Sequence, residues 1–244
     1  MREIEGRRVL VIGASAGIGQ GIATALSTEG ARVTLAARRL ERLEEAAAAC
    51  KNETAIARCD VRNPDDCQSV VAEAVAAFGG LDAVVYAAGT TAFVEASKAT
   101  SEDWHLTLET NLIGAALVTS AALPHLIESQ GHAVYLSSNS ARFYSPWRGL
   151  ATYTASKRGL EALVQTLRLE NPSVAFTTLV VGPTLSEFGA EGGDALLHFS
   201  TDWHARGQLA SEQMLEPEDH ARAVISILSA DARVCVSEIV LEPR

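Results

Sequence analysis

The folding of this 244-residue chain is constrained most by where its short apolar runs stop and by the residues that come next. Arg8–Ile12 ends at Gly13, and Gly13-Ala-Ser-Ala-Gly17-Ile-Gly19 leads directly into a helical pattern over Ile18–Thr28, with Ile22, Ala25 and Leu26 on one face. The same order then repeats. Val33–Ala37, Thr54–Cys59, Leu81–Ala87, Ala133–Ser137, Phe176–Val181 and Val234–Leu241 read as further strands. Between them lie helical patterns at Leu40–Cys50, Glu102–Ser129, Tyr153–Glu170 and Pro217–Ser229, and one opened by Asn63 as cap and Pro64 at its first position. Pro124 is expected to bend or divide the long pattern that contains it. Strands that are apolar along their whole length, alternating with helices, imply a parallel sheet covered on both faces. The expected fold is therefore α/β, doubly wound and in one domain spanning residues 1–244, with ligands bound beyond the carboxyl ends of the strands.

Composition narrows the partners. The net charge of −10 repels nucleic acid and anionic lipid, so neither is an expected partner. A phosphorylated ligand would then need a local basic site. Cys50, Cys59, Cys67 and Cys235 form no CxxC pair and read as reduced, structural thiols. No uninterrupted apolar run reaches the roughly 18 residues of a membrane span. The opening residues lack a signal peptide's apolar region, so a cytosolic location is expected.

The glycine turn satisfies one requirement of dinucleotide binding. Glycines allow a tight turn and let backbone approach a phosphate, while the helix behind the turn offers free amides and positive dipole. Gly13, Ser15, Ala16, Gly17, Ile18 and Gly19 form the candidate cradle. The spacing is GxxxGxG, and by itself it is equally compatible with a structural strand-to-helix turn. At the end of the second strand, where an acidic residue would take a ribose 2′-hydroxyl, this chain has Ala36-Ala37-Arg38-Arg39. A guanidinium forks onto a 2′-phosphate and supplies the local basicity that the acidic chain demands. NADP(H) is favoured, with Arg38 the first candidate and Arg39 and Ser15 its helpers; NAD(H) stays open. Asp60, at the end of the third strand, is placed to meet an adenine amino group, or simply to cap its loop. Ala87-Ala88-Gly89 would let a flat ring lie against backbone.

Well downstream of the glycine turn, Tyr153-Thr-Ala-Ser-Lys157 puts a phenol and an ammonium one helical turn apart. Free tyrosine ionises near pH 10. A cation on the same helix face is expected to stabilise the phenolate and draw its pKa toward the working range. Such a pair can move a proton while a cofactor moves a hydride.

Taken together, these motifs resemble the short-chain dehydrogenase/reductase family along nearly the whole chain. The likeness rests on Gly13 to Gly19, Asp60-Val61, Tyr86-Ala-Ala-Gly89, Asn111, Ser138, Tyr153 to Lys157 and the Gly182-Pro183 turn. It implies an NAD(P)-dependent oxidoreductase with a sheet of about seven strands. Tyr153 resembles the catalytic acid and base, and Lys157 the residue that tunes it and bonds the nicotinamide ribose. Ser138 would hold the substrate oxygen, and Asn111 would anchor a water leading from Lys157. Pro183, Thr184 and Leu185 would border the carboxamide, Leu185 through its backbone. The likeness also suggests a homodimer or homotetramer built through helices 102–129 and 153–170.

The chain departs from the family pattern in places. Ile12 stands where a threonine is usual, Tyr86 replaces an asparagine, and the Pro-Gly turn is inverted to Gly182-Pro183. Ser138 lies 15 residues before Tyr153 and Ser140 lies 13 before it. The usual gap matches Ser140, whereas the strand end matches Ser138, which is preferred.

The six histidines show no metal-ligand spacing and read as surface or capping residues. Phe143, Tyr144 and Trp147, with Leu185, Phe188, Leu196, Phe199, Trp203 and Met214, crowd two loops. The insert near 184–215 is a candidate lid, or else a satellite of the core or a subunit contact. A small to medium, partly hydrophobic ketone, aldehyde or secondary alcohol is the expected substrate. The rival expectation is a dinucleotide-binding sensor that kept the fold and lost the chemistry.

Overall fold

The computed structural model describes residues 3–142, 147–188, 193–209, 213–231 and 233–244. Strands and helices alternate as β1 (Arg8–Ile12), α1 (Gly17–Thr28), β2 (Arg32–Ala37), α2 (Leu40–Ala48), β3 (Thr54–Arg58), α3 (Pro64–Phe78) and β4 (Ala83–Tyr86). They continue as α4 (Ser101–Leu108), α5 (Gly114–Ser129), β5 (His132–Ser138), α6 (Ala151–Glu170), β6 (Ala175–Val181), α7 (Gly193–Ala205), α8 (Pro217–Leu228) and β7 (Glu238–Leu241). All seven strands join one sheet in the order β3-β2-β1-β4-β5-β6-β7, and every pairing is parallel. The doubly wound α/β expectation holds. β1 pairs with both β2 and β4, so the strand order reverses at β1, and a crevice opens past Ile12 and Tyr86.

Alternation along the strands divides the core into two layers. Val9 and Val11 of β1 face one side with Ile22, Leu26, Leu43, Val224 and Ile227. Leu10 and Ile12 face the other with Val70, Leu126, Leu160 and Phe176. Helices therefore cover both faces, and residues 9–12 of β1 and 83–85 of β4 are all apolar.

Three boundaries differ from the sequence reading. The long helical stretch is interrupted by a π-helical turn at Glu109–Ile113, while α5 runs through Pro124. Pro124 is exposed, so its ring meets solvent instead of the sheet, whereas the π turn carries the buried Asn111 inward. β4 is shorter than its apolar run. β7 is confined to Glu238–Leu241; just before it, the carbonyls of Val236 and Ser237 accept from the side chains of Thr177 and Arg168. Ser101–Ser129 is long and apolar enough by composition to cross a membrane. Here its Ala115, Val118, Ala122 and Leu126 pack into the sheet.

Phe176, fully buried between β5 and α6, tests this packing. Phe176→Ala is expected to lower unfolding free energy in urea by about 3–5 kcal/mol. A loss near zero would place the layer's centre elsewhere.

Candidate active site

The crevice begins at the glycine turn. Gly13 has φ +86° and Gly17 φ +54°, both in the left-handed region. A Cβ on Gly13 would stand 2.6 Å from the Ala88 nitrogen, and one on Gly19 only 2.2 Å from the Gly13 carbonyl oxygen. β1's turn, α1 and the chain leaving β4 thus meet backbone to backbone. Gly13 and Ala14 donate to Ala36 at 2.8 and 3.1 Å, and Ala87 donates to Ile12 at 2.9 Å. No side chain caps α1 at Ala16. The first amides of that helix are accordingly available to an anion, and the cradle fits a dinucleotide's pyrophosphate. Ala87, Ala88 and Gly89 continue from β4 along the floor of the crevice.

At the end of β2 the two arginines part. Among the described residues Arg38 has no hydrogen-bond or ion-pair partner, and its charge helps depress Asp60. Arg39 instead turns its guanidinium to Ser15 Oγ at 3.3 Å and to Glu187 at 3.2 Å. Sequence ranks Arg38 first; the geometry puts Arg39 on Ser15. Asp60 is held by Arg62 at 2.6 Å, and this hydrogen bond keeps its carboxyl below the usual range. Val61 is buried against Gly114.

The four candidate catalytic residues come together past the ends of β4 and β5. Ser138 ends β5 beside Tyr153, close enough to favour its phenolate. Its Oγ is 2.9 Å from Ser140 Oγ, so both serines sit at the site. Lys157 Nζ lies 5.6 Å from the Tyr153 ring centre and donates to the Leu136 carbonyl at 2.7 Å. Asn111 accepts from the Thr90 amide at 2.8 Å and donates to the Thr90 carbonyl and to Ser156 Oγ, both at 2.9 Å. A Cβ on Gly89 would lie 3.6 Å from both Asn111 Oδ1 and Lys157 Nζ. Glycine there keeps a gap between those two groups.

Burial opposes the expected effect of Lys157 on the tyrosine. Tyr153 is not drawn down but pushed up to about 12. Burial disfavours the phenolate by more than the Ser138 hydrogen bond favours it. Phe188 packs on the phenol at 5.2 Å between ring centres, and Lys157 directs a hydrogen to Leu136. Burial also brings Lys157 down to about 8, opposed by the charge of Glu161.

The segment after β6 closes the other side. Leu185 donates its amide to Leu215 at 2.8 Å, so that N–H is engaged within the protein and not free for a carboxamide. Thr184 Oγ1 donates to Gly182 at 2.8 Å and lies 2.8 Å from His220 Nε2. Pro183 accepts from the Leu215 amide at 2.9 Å. The histidines are not all at the surface as expected. His132 is buried and bonded to Thr177, and His220 is fully buried. Among the described residues its Nδ1 has no partner. Tyr153 joins a third apolar cluster with Leu150, Phe199 and Trp203, against which Phe93 and Trp147 pack. The insert therefore includes a core satellite. Phe143 and Tyr144 lie outside the described residues.

Sequence reasoning passes over four residues here. Ser156 lies inside the Tyr153–Lys157 motif, and Glu161 comes one helical turn after Lys157, buried and accepting from Ser137 at 2.7 Å. Both spacings are readable. Arg42 and Glu187, which pair at 2.5 Å, are 145 positions apart and leave no local trace.

Comparison with known proteins agrees with this geometry. The family described as short chain dehydrogenase matches residues 7–194. An alcohol dehydrogenase from the archaeon Thermococcus sibiricus, solved with 5-hydroxy-NADP, superimposes with TM-score 0.83 at 28% identity, covering 97% of this chain and 96% of that one. A metagenomic short-chain oxidoreductase in complex with NADP gives TM-score 0.80 at 27% identity, covering 100% and 99%. Glycine betaine reductase ATRR of Emericella nidulans is 34% identical over 99% of this chain, which spans only 19% of that protein's length. An uncharacterized oxidoreductase of Staphylococcus epidermidis is 28% identical over the whole of both chains.

The buried His220 makes stability depend on pH. Burial holds it down at about 4, against an ordinary 6.5. Below pH 6.5 the unfolded chain takes a proton that the folded chain refuses until about pH 4. Its contribution is thus complete above 6.5 and is lost as pH falls through that window. Between pH 7 and 5 the native protein is expected to lose about 2 kcal/mol more than His220→Leu in urea unfolding. Equal losses would mean that His220 is protonated in the fold.

Proposed function

The chain belongs to the short-chain dehydrogenase family, and from that premise we propose that it transfers a hydride between NADP(H) and a carbonyl compound or its secondary alcohol. The observation that carries this reading is the convergence of Ser138, Tyr153 and Lys157 beside a glycine cradle that admits no Cβ. The dinucleotide, when bound, supplies or accepts the hydride. Gly13, Ala16, Gly17, Ile18 and Gly19 would hold its pyrophosphate, and Asp60 and Val61 its adenine. Ala87, Ala88, Gly89, Lys157, Pro183, Thr184 and Leu185 would border the nicotinamide half.

The chain's own residues divide the remaining work. Ser138 holds the substrate oxygen and polarises the carbonyl. Tyr153 gives its hydroxyl proton to that oxygen in reduction and takes it back in oxidation. Burial pushes Tyr153 up to about 12, so its hydroxyl keeps its proton at neutral pH. Lys157 stabilises the phenolate left behind. Asn111, tied to Thr90 and Ser156, fixes the floor of the site. The apolar wall of Leu150, Phe199 and Trp203 favours a partly hydrophobic substrate.

The preference for NADP(H) rests on the pair Arg38 and Arg39, where an acidic residue would favour the unphosphorylated ribose. The two similar structures carry NADP or its hydroxy analogue, which supports the same choice. We place the protein in the cytosol as a homodimer or homotetramer. Exposed Ile113, Ile127 and Leu169 on the proposed contact helices support self-association.

Tyr153→Phe is expected to cut NADPH-linked turnover by about 10²–10⁴-fold while NADPH affinity changes less than about twofold. Retained turnover in a ketone and aldehyde panel would remove Tyr153 from the chemistry. Tight binding without turnover in the native protein would mark a sensor instead. Replacing both Arg38 and Arg39 by Ala should weaken NADPH by about 10–100-fold and NADH by less than about twofold. Equal losses would show that these arginines do not read the phosphate.

A further inference from the structure

Residues Ser186, Glu187 and Phe188 span the cofactor crevice from one end to the other. Ser186 Cβ is 3.2 Å from the point where a side chain on Gly17 would begin. Glu187 bridges Arg39 at 3.2 Å and Arg42 at 2.5 Å, beside Ser15. Phe188 lies on Tyr153 at 5.2 Å and against Phe93 at 6.4 Å. Three consecutive residues thus touch the pyrophosphate turn, the cation that faces Ser15, and the phenol.

We infer that Glu187 is an internal stand-in for the cofactor's 2′-phosphate, and that its displacement from Arg39 uncovers Tyr153. This rests on the NADP(H) reading above and deepens it. The ion pairs of Glu187 are about half exposed, so they are weak and exchange readily. A phosphate carries more charge than a carboxylate and has three acceptor oxygens for the same guanidinium and hydroxyl. Once the phosphate holds Arg39, two anions compete for one fork, and the carboxylate leaves. Phe188 is the next residue, so the backbone movement that frees Glu187 also lifts the ring from Tyr153. NADH has no 2′-phosphate and leaves the carboxylate in place. Glu187 therefore lowers affinity for the phosphorylated dinucleotide and at the same time makes access to the phenol depend on that phosphate. Arg42 keeps Glu45 at 3.0 Å when Glu187 departs, so the opening strands no cation.

The test uses 2′,5′-ADP and 5′-ADP, which carry and lack the phosphate and do not reach Tyr153. By calorimetry, Glu187→Gln is expected to tighten 2′,5′-ADP about three- to tenfold and to leave 5′-ADP within about twofold. Glu45→Gln, which also removes an acid from Arg42 but does not touch the strap, should change neither by more than about twofold. In the native protein, 2′,5′-ADP should speed amide hydrogen exchange at residues 185–188, and 5′-ADP should not. Weaker 2′,5′-ADP binding by Glu187→Gln, or protection of 185–188, would make Glu187 a clasp that closes over the ligand and overturn the inference. Unchanged affinity in the variant would overturn it too, leaving the NADP(H) reading intact. If the native protein and Glu187→Gln bind 2′,5′-ADP no better than 5′-ADP, the NADP(H) reading fails and takes this inference with it.

Discussion

Everything in the crevice is referenced to one backbone contact, the approach of Gly13 to Ala88 at the carboxyl ends of β1 and β4. With 2.6 Å between a would-be Cβ and the Ala88 nitrogen, the contact tolerates glycine alone. It holds the turn before α1 against the chain leaving β4, at the place where strand order reverses. Gly19 meets the Gly13 carbonyl in the same way, so α1 is pressed onto its own turn. The helix amides and the floor of the site then share a rigid frame. Asn111 extends that frame by bonding both backbone groups of Thr90 and reaching Ser156, which lies between Tyr153 and Lys157 in sequence. The π turn at Glu109–Ile113 is what brings Asn111 to that position.

Within this frame, two opposing effects decide the state of Tyr153. Proximity to a cation favours the phenolate, and removal from water disfavours it. In this arrangement desolvation wins, since Phe188 covers the ring and Lys157 directs a hydrogen to Leu136. The same desolvation lowers Lys157, while Glu161 one turn away supports its charge. The phenol and amine are therefore poised by how much water reaches them. A cover that moves changes both groups in the same direction, toward their charged forms.

Legibility in the sequence tracks the range of the interactions. Strand and helix order, the parallel sheet and the strand ends at Ile12, Ala37 and Val181 are set by local periodicity and turn chemistry, and they are legible. So is Ser156, once the inner residues of the Tyr153–Lys157 motif are weighed. The choice between Ser138 and Ser140 turns on a residue count that an insertion can shift; in the fold the two hydroxyls lie 2.9 Å apart, so both reach the site. His220 is hidden because a buried histidine and an exposed one look alike in a helix opened by Pro217. Its partner Thr184 is 36 positions away. Pro124 misleads because proline's effect depends on which way its ring faces, and that is decided by packing.

The arginines at the start of α2 show the same limit from the electrostatic side. An overall charge of −10 says that an anionic ligand needs local cations, and Arg38 and Arg39 meet that criterion in sequence. Sequence cannot supply how those cations are occupied. Arg39 and Arg42 share Glu187, whereas Arg38 stands apart near Asp60. A cation that already holds an exposed carboxylate presents little net field to a distant anion. A free cation does the opposite, attracting at range and ordering only on contact. The two arginines thus differ in the field they expose: Arg39 is offset by Glu187, whereas among the described residues Arg38 has no carboxylate paired with it.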